Sequence, residues 1–261
     1  MGDAVNDAGR MPPAELVLVR HGESVGNLAA TAAGQRGLAR LDLDYRDPDT
    51  PLSDNGIAQA EALGRHMAKS RAEARPDVVL GSPYVRAAST MEHVLGAWRG
   101  APTPVFDERL RERDLGLFDG MTGQGIRDTY PEEAARRPVV ELAHRLSAGG
   151  ESWTDVVLRV RGVLGDVRAD QAGRRVWVFT HQAVIMAFRY VLESLSEQAL
   201  LEEDGRTPLG NCSLTVYRPD EAGALALVTY GAVDHLEASD AEPTHEEPLG
   251  TRSPSAAGER S

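Results

Sequence analysis

Apolar and polar positions follow two periods along this chain. Glu15-Leu-Val-Leu-Val-Arg20 and Arg175-Val-Trp-Val-Phe-Thr180 are short unbroken apolar runs rich in Val, and they predict strands buried on both faces. Asp77-Val-Val-Leu80 is a third such run. Between them Ile57, Ala60, Leu63, Gly64 and Met67 recur at helical spacing behind Ser53, a candidate N-cap. Ser82-Pro83 predicts the start of a helix that reaches about Trp98. Val156, Val160, Val163, Leu164 and Val167 mark one face of a helix over residues 152–170, and residues 182–195 form another. Residues 212–217 and 225–230 look like a closing pair of strands. Strands separated by helices imply a three-layer α/β/α sandwich around a mostly parallel central sheet. In such sheets ligands collect where strands end and helices begin.

Both ends of the chain fall outside this pattern. Residues 1–13 are small and polar and close on Pro12-Pro13, which predicts a disordered arm. Residues 237–261 hold too few apolar side chains to offset the entropy of ordering, which predicts a disordered tail. No internal repeat or linker divides the rest, so one domain is expected over residues 14–236.

Composition narrows the class. The 261 residues are 41% hydrophobic and 26% charged, an ordinary globular balance that excludes a wholly disordered or fibrous chain. No apolar stretch approaches the ~20 residues of a bilayer span, and Met1 to Pro13 lack the apolar core of a secretory signal. The lone Cys212 can form neither an internal disulfide nor a Cys-pair zinc site, and a cytoplasmic setting is expected. A net charge of −12 argues against nucleic-acid partners. Part of that charge lies in the tail, at Glu237, Asp240, Glu242, Glu246, Glu247 and Glu259 against Arg252 and Arg260. Lys69 is the only lysine, so almost every positive charge is a guanidinium.

Three strand ends carry the candidate chemistry. The first strand runs into Arg20-His21-Gly22-Glu23-Ser24, the second leads through Ser82-Pro83 to Arg86, and the third ends at Thr180-His181-Gln182. Each group taken singly fits a packing histidine or a solvated arginine. Jointly, two arginines and two histidines at one sheet edge supply the cations and nucleophile that a phosphoryl group requires. Gly22 would permit close backbone approach.

Arg20-His21-Gly22-Glu23-Ser24 with Asn27, Ser82-Pro83-Tyr84-Val85-Arg86-Ala87, Leu110-Arg111-Glu112-Arg113-Asp114-Leu115-Gly116, Gly150-Glu151-Ser152 and Thr180-His181 resemble, in order, the motifs of the histidine phosphatase superfamily. The resemblance covers about residues 15–232 and implies a phosphoglycerate-mutase-like fold. It implies a histidine acid-type phosphatase that needs no cofactor or metal. By the same resemblance His21 takes the phosphoryl group, Arg20, Arg86 and His181 surround its oxygens, and Asn27 and Gln182 help bind substrate. Glu112 would protonate the leaving oxygen and then activate water, which near neutrality requires a raised pKa. Charge pattern alone makes residues 107–114 a solvated loop.

Departures narrow the activity further. Mutases of the family carry a tyrosine where this chain has Leu115, and Gly-Asn where it has Gln182-Ala183. His181-Gln182-Ala183-Val184 and Tyr130-Pro131-Glu132-Glu133 resemble the fructose-2,6-bisphosphatase domain, yet two of its cationic positions are Met186 and Gly149 here. Arg136, Arg137, His144 and Arg145 could replace them or belong to a surface helix and loop. The expectation is a phosphomonoesterase for small phosphorylated metabolites. A mutase, a sugar bisphosphatase and an inactive phospho-ligand or protein binder are the alternatives. Residues 28–50, with Asp42, Asp44, Asp47 and Asp49, are expected to border the pocket and disfavour polyanions.

Overall fold

Successive side chains of strand β1 (Glu15–Arg20) face two different cores. Leu16 and Leu18 pack with Val176 and Val178 of β4 (Arg175–Thr180) against helices α6 (Trp153–Asp170) and α7 (Gln182–Leu192). Val17 and Val19 pack with Trp177 and Phe179 against α2 (Asp54–Lys69) and α3 (Val85–Gly96). Apolar residues on both faces of the central strands thus require a helical layer on each side. Each fully buried Leu or Val adds about 2 kcal/mol to this arrangement. In the computed structural model, residues 11–136, 149–196, 198–199, 209–237 and 239–245 are described.

With β2 (Val78–Gly81), β3 (Val105–Phe106), β5 (Leu214–Pro219) and β6 (Leu225–Ala232), the strands form one sheet in the order β3-β2-β4-β1-β5-β6. The first four are parallel, β5 runs antiparallel to β1, and β6 runs antiparallel to β5. The α/β class and its mostly parallel sheet are as expected. Ser53 caps α2, accepting from Gly56 N–H, as its sequence predicts. Ser152 caps α6 with Asp155 completing a capping box.

Four boundaries differ from expectation. Residues 25–36 form helix α1 (Val25–Arg36), started by a Ser24–Asn27 capping box and stopped by Gly37 at φ 64°. Helix α3 begins at Val85, not at Ser82-Pro83, because Ser82 Oγ accepts from Tyr84 N–H and bonds His181. Two short helices, α4 (Gly123–Thr129) and α5 (Pro131–Arg136), precede α6, and helix α7 ends at Leu192. Beyond 236, residues 239–245 lie against the body, although a disordered tail is expected from 237. Asn55 Oδ1 accepts from Glu242 N–H at 2.9 Å, and Gln59 Nε2 donates to the Glu242 carbonyl at 2.7 Å. Ala241 is buried with Ala62 and Leu236. The segment is held by backbone hydrogen bonds and one small apolar residue, which hydrophobic counting does not register. Residues 1–10 and 246–261 lie outside the described residues.

The short helix Asp234–Glu237 buries His235, whose ring lies 6.3 Å from that of His66. Burial, and then the neighbouring His66, push its pKa down to about 4. The unfolded chain therefore binds a proton that the folded chain refuses between about pH 6.5 and 4, so stability falls as pH falls through that window. This one group is expected to remove about 2 kcal/mol of stability between pH 7.5 and pH 5. Urea unfolding at the two pH values checks it, because His235→Gln should show a pH dependence shallower by that amount.

Candidate active site

Parallel pairing places β1 and β4 side by side with Arg20 opposite Thr180. The next residue of each strand is a histidine, and the His21 and His181 rings meet with centroids 5.2 Å apart. Both are buried, as are Arg20 and Arg86. Helix α3, which follows β2 on the other side of β4, presents Arg86 from its first turn. The guanidinium Nε donates to His21 Nε2 at 3.3 Å. Arg20, His21, Arg86 and His181 are thus brought into one buried group at the carboxyl ends of the parallel strands.

The His21 backbone is held on both sides. Its N–H donates to Thr180 O, while its carbonyl accepts from Cys212 N–H at 3.0 Å and from Asn211 Nδ2 at 3.3 Å. Thr244 in turn donates to Asn211 Oδ1, so the 239–245 segment braces this turn. The ring Nδ1 lies 2.7 Å from the Gly22 carbonyl, which only an N–H can satisfy. Nε2 then carries the lone pair, consistent with its accepting from Arg86. Burial, then Arg86 and Arg20, hold the His21 pKa well below the ordinary value, and Gly22 opposes them weakly. The ring is accordingly neutral at physiological pH.

His181 is also held neutral, by burial and then by Arg86 and His21. Its Nε2 bonds Ser82 Oγ at 2.8 Å, and Nδ1 is buried without a hydrogen-bond partner among the described residues. Ser82 Oγ already accepts from Tyr84 N–H, so we assign its proton to His181 Nε2 and the ring proton to Nδ1. An orphaned buried donor of this kind favours a ligand oxygen. The Tyr84 ring stacks edge-on to His181 at 5.4 Å and lies under the Arg86 guanidinium at the same distance. Arg20 donates to the Leu209 carbonyl.

Glu112 lies half-buried beyond the 3₁₀ turn Glu108–Leu110, and its Oε1 accepts from Arg113 N–H at 2.8 Å. Thr180 Oγ1 ties this loop to the end of β4 through the Leu110 carbonyl. Glu151 clamps the loop from the other side. Its carboxylate pairs with Arg111, receives Arg159 at 3.0 Å and accepts from Asp114 N–H at 3.1 Å. Gly150 is required beside it, since a Cβ there would sit 2.4 Å from the Asp114 carbonyl. Removing the carboxylate would leave Arg159, 8% exposed, without its anion. Glu151→Ala is therefore expected to cost about 3 kcal/mol in urea unfolding, whereas Glu61→Ala, on an exposed pair with Arg65, should cost less than ~1 kcal/mol.

The other expected site residues are placed differently. Asn27 Oδ1 accepts from Ser24 and from Asn211 Nδ2, so the side chain completes the α1 cap and links it to the His21 turn. Gln182 is the first residue of α7, beside His181. Leu115 packs with Phe118, Met121 and Ile126, and Met186 packs against Trp153, Tyr190 and Leu195. Arg137, His144 and Arg145 lie outside the described residues. Residues 28–50 do reach the pocket, through an Asp47–Arg86 pair. Ser82 and Asn211 were not singled out as site residues by sequence, having only short uncharged side chains without a pattern of their own, and Asp47 was named only as one of four acids in the pocket-bordering segment. Among the described residues no cluster of His, Cys, Asp and Glu could hold a metal ion, and no helix is long and apolar enough to cross a membrane.

A family model described as histidine phosphatase superfamily (branch 1) matches residues 16–231. Phosphoserine phosphatase 1 of Hydrogenobacter thermophilus is 30% identical over 174 residues, covering 66% of this chain and 73% of that protein. A 2,3-bisphosphoglycerate-dependent phosphoglycerate mutase of Bradyrhizobium diazoefficiens is 32% identical over 202 residues, covering 72% and 86%. Among solved structures, mycobacterial glucosyl-3-phosphoglycerate phosphatase superposes with a TM-score of 0.64 at 26% identity, over 84% of this chain and 98% of that one.

Proposed function

The chain belongs to the histidine phosphatase superfamily, a family of phosphatase and mutase-like enzymes, and from that premise we propose a metal-independent phosphomonoester hydrolase. Its substrates are small phosphorylated metabolites, and its reaction passes through phosphohistidine at His21. The same reading takes it as a cytoplasmic enzyme with neither nucleic acid nor membrane as partner. The observation that carries it is the His21 ring, tied through Nδ1 to Gly22 with Nε2 facing Arg86.

In the first half-reaction Nε2 attacks phosphorus and the bond to the ester oxygen breaks. Glu112 supplies the proton that the leaving oxygen needs. Arg20, Arg86 and the Nδ1–H of His181 balance the charge spread over the phosphoryl oxygens, work that is largely electrostatic positioning. In the second half-reaction Glu112, now a carboxylate, takes a proton from water as it attacks phosphohistidine. Phosphate leaves and Nε2 recovers its lone pair.

The relatives carry both phosphatase and mutase names, and a mutase is the second reading. Leu115 disfavours it, because the side chain at the mutase tyrosine position joins an apolar cluster and offers no hydroxyl to a substrate. Met186, buried against Trp153 and Tyr190, disfavours the sugar bisphosphatase in turn, because it gives no cation for a second phosphate. The test is hydrolysis of p-nitrophenyl phosphate in excess EDTA, with acid-labile phosphoenzyme trapped by rapid denaturation. EDTA-resistant turnover through such an intermediate is expected. Turnover abolished by EDTA would sink the proposal in favour of a metal enzyme, and absence of turnover would favour a binder.

A further inference from the structure

Arg86 is already occupied by an anion of the protein's own. Its Nη1 donates to the Asp47 carbonyl at 2.6 Å and pairs with Oδ1 at 3.0 Å, while Nη2 reaches Oδ2 at 3.4 Å. Only Nε faces His21. The two terminal nitrogens hold the carboxylate as a guanidinium fork holds two phosphoryl oxygens. We propose that Asp47 is a resident counter-anion of the phosphoryl site, which substrate must displace from Arg86. The inference rests on reading His21 and Arg86 as that site.

The two partners are unequally placed. The Asp47 side chain is 35% exposed and the Arg86 side chain 6%. A carboxylate swinging outward regains water cheaply, whereas the arginine stays buried and needs another anion. The backbone around Asp47 has anchors of its own besides the Arg86 bond to its carbonyl. It belongs to the 3₁₀ turn Asp47–Asp49, which Thr50 Oγ1 anchors through the Arg46 carbonyl and which an Arg46–Asp49 pair flanks. The side chain can therefore move while the turn stays. The field of Asp47 also reaches its neighbours: after burial, it is the largest influence raising the pKa of Asp119 and of Tyr84.

This exchange makes the pocket selective by charge. A ligand with one negative charge replaces the carboxylate by its equal and gains little from Arg86. A phosphate monoester dianion brings a second charge and more acceptor oxygens, so it displaces Asp47 with net gain. Dianionic monoesters are thus favoured over monoanionic diesters at the first binding step.

Inhibition by inorganic phosphate tests the idea, with p-nitrophenyl phosphate as reporter. In Asp47→Asn the Ki of phosphate should fall about tenfold and kcat/KM should rise. Asp49→Asn, in the same turn but paired with Arg46, should leave both constants within about twofold. A Ki that is unchanged or higher in Asp47→Asn would overturn the proposal, because Asp47 would then merely orient Arg86. Should that variant fold poorly, a crystal structure of the parent chain with phosphate decides: Asp47 still on Arg86 beside bound phosphate refutes displacement, and its release supports it. A parent chain that binds no phosphate defeats the phosphatase reading itself. One that binds it, with Asp47→Asn binding no tighter, defeats only the displacement.

Discussion

His21→Ala is expected to hydrolyse p-nitrophenyl phosphate at least about 10⁴-fold more slowly than the parent chain. The loss is large because, among the described residues, no other buried side chain offers a lone pair in the same position. The His181 ring is also held neutral by burial, but its Nε2 is engaged by Ser82. Water could attack in place of His21, yet it would lack the fixed orientation that the Gly22 bond gives the imidazole. Trapped phosphoenzyme should disappear with the rate, while phosphate still binds, since Arg20, Arg86 and His181 remain. Residual turnover within tenfold of the parent chain would show that phosphohistidine is not on the path. The low pKa of His21 sets a companion expectation for the parent chain. Activity should not fall through protonation of this ring near pH 6.5, because burial and two guanidiniums keep it neutral well below that point.

Gly56→Ala should damage the site as severely without altering a reacting group. Gly56 lies in the first turn of α2, and a Cβ there would stand 1.9 Å from the Glu23 carbonyl oxygen and 2.9 Å from Glu23 N. The reciprocal contact is also closed, since a Cβ on Gly22 would meet Gly56 O at 2.6 Å. Backbone meets backbone, so no side chain can rotate away. The junction is further tied by Ser53 Oγ, which donates to Glu23 Oε1 at 2.6 Å, and by Glu23 N–H to Gln59 at 2.8 Å. Opening it must shift the Gly22-Glu23 turn, whose carbonyl sets the His21 tautomer. We expect a stability loss of ~3 kcal/mol or more, with weakened phosphate binding in the fraction that folds. Gly34→Ala is the contrast, because a Cβ at that helical position meets nothing within 4 Å. It should stabilise α1 by up to ~1 kcal/mol. Urea midpoints of the two variants, compared with phosphate affinity, check both. Equal midpoints would refute the packing argument.

What was legible in the sequence follows from what has a period. β1, β2, β4, α2 and α6 announce themselves because each buries a regular apolar face. β3 does not, as it is two residues long with Val105 and Phe106 both exposed. α1 buries only Ala33, so it has no apolar stripe, and its signals are the Ser24–Asn27 box and Gly37. The principal residues of the candidate site were readable since Arg20, His21 and His181 lie at the ends of recognisable strands and Arg86 opens a helix. Their supports were not. Ser82 meets His181 across 99 positions and Asn211 meets His21 across 190, and neither carries a charge that would draw notice. Asp47 stood among several acids in one segment, and only the fold selects it for Arg86. Glu151 stood in a recognised motif, but its clamp on Arg111 and Arg159 becomes apparent only when α6 is laid beside the 107–114 loop.

The register of β1 on β4 has a consequence for how such an enzyme can change. Neighbouring strands lie about 4.8 Å apart, and the histidine rings, one residue beyond the matched Arg20–Thr180 pair, lie 5.2 Å apart. Their separation is therefore inherited from the sheet and owes little to any loop. The segments that border the pocket, around Asp47 and Glu112, are loops outside the sheet that meet it through single bonds such as Thr180 Oγ1 to the Leu110 carbonyl, and they can lengthen, shorten or exchange charges while the histidines keep their spacing. On the proposed function, chemistry and choice of substrate thereby lie on separately heritable parts of the chain. A transplanted 38–50 segment should redirect the enzyme to a different ester without rebuilding its reactive centre.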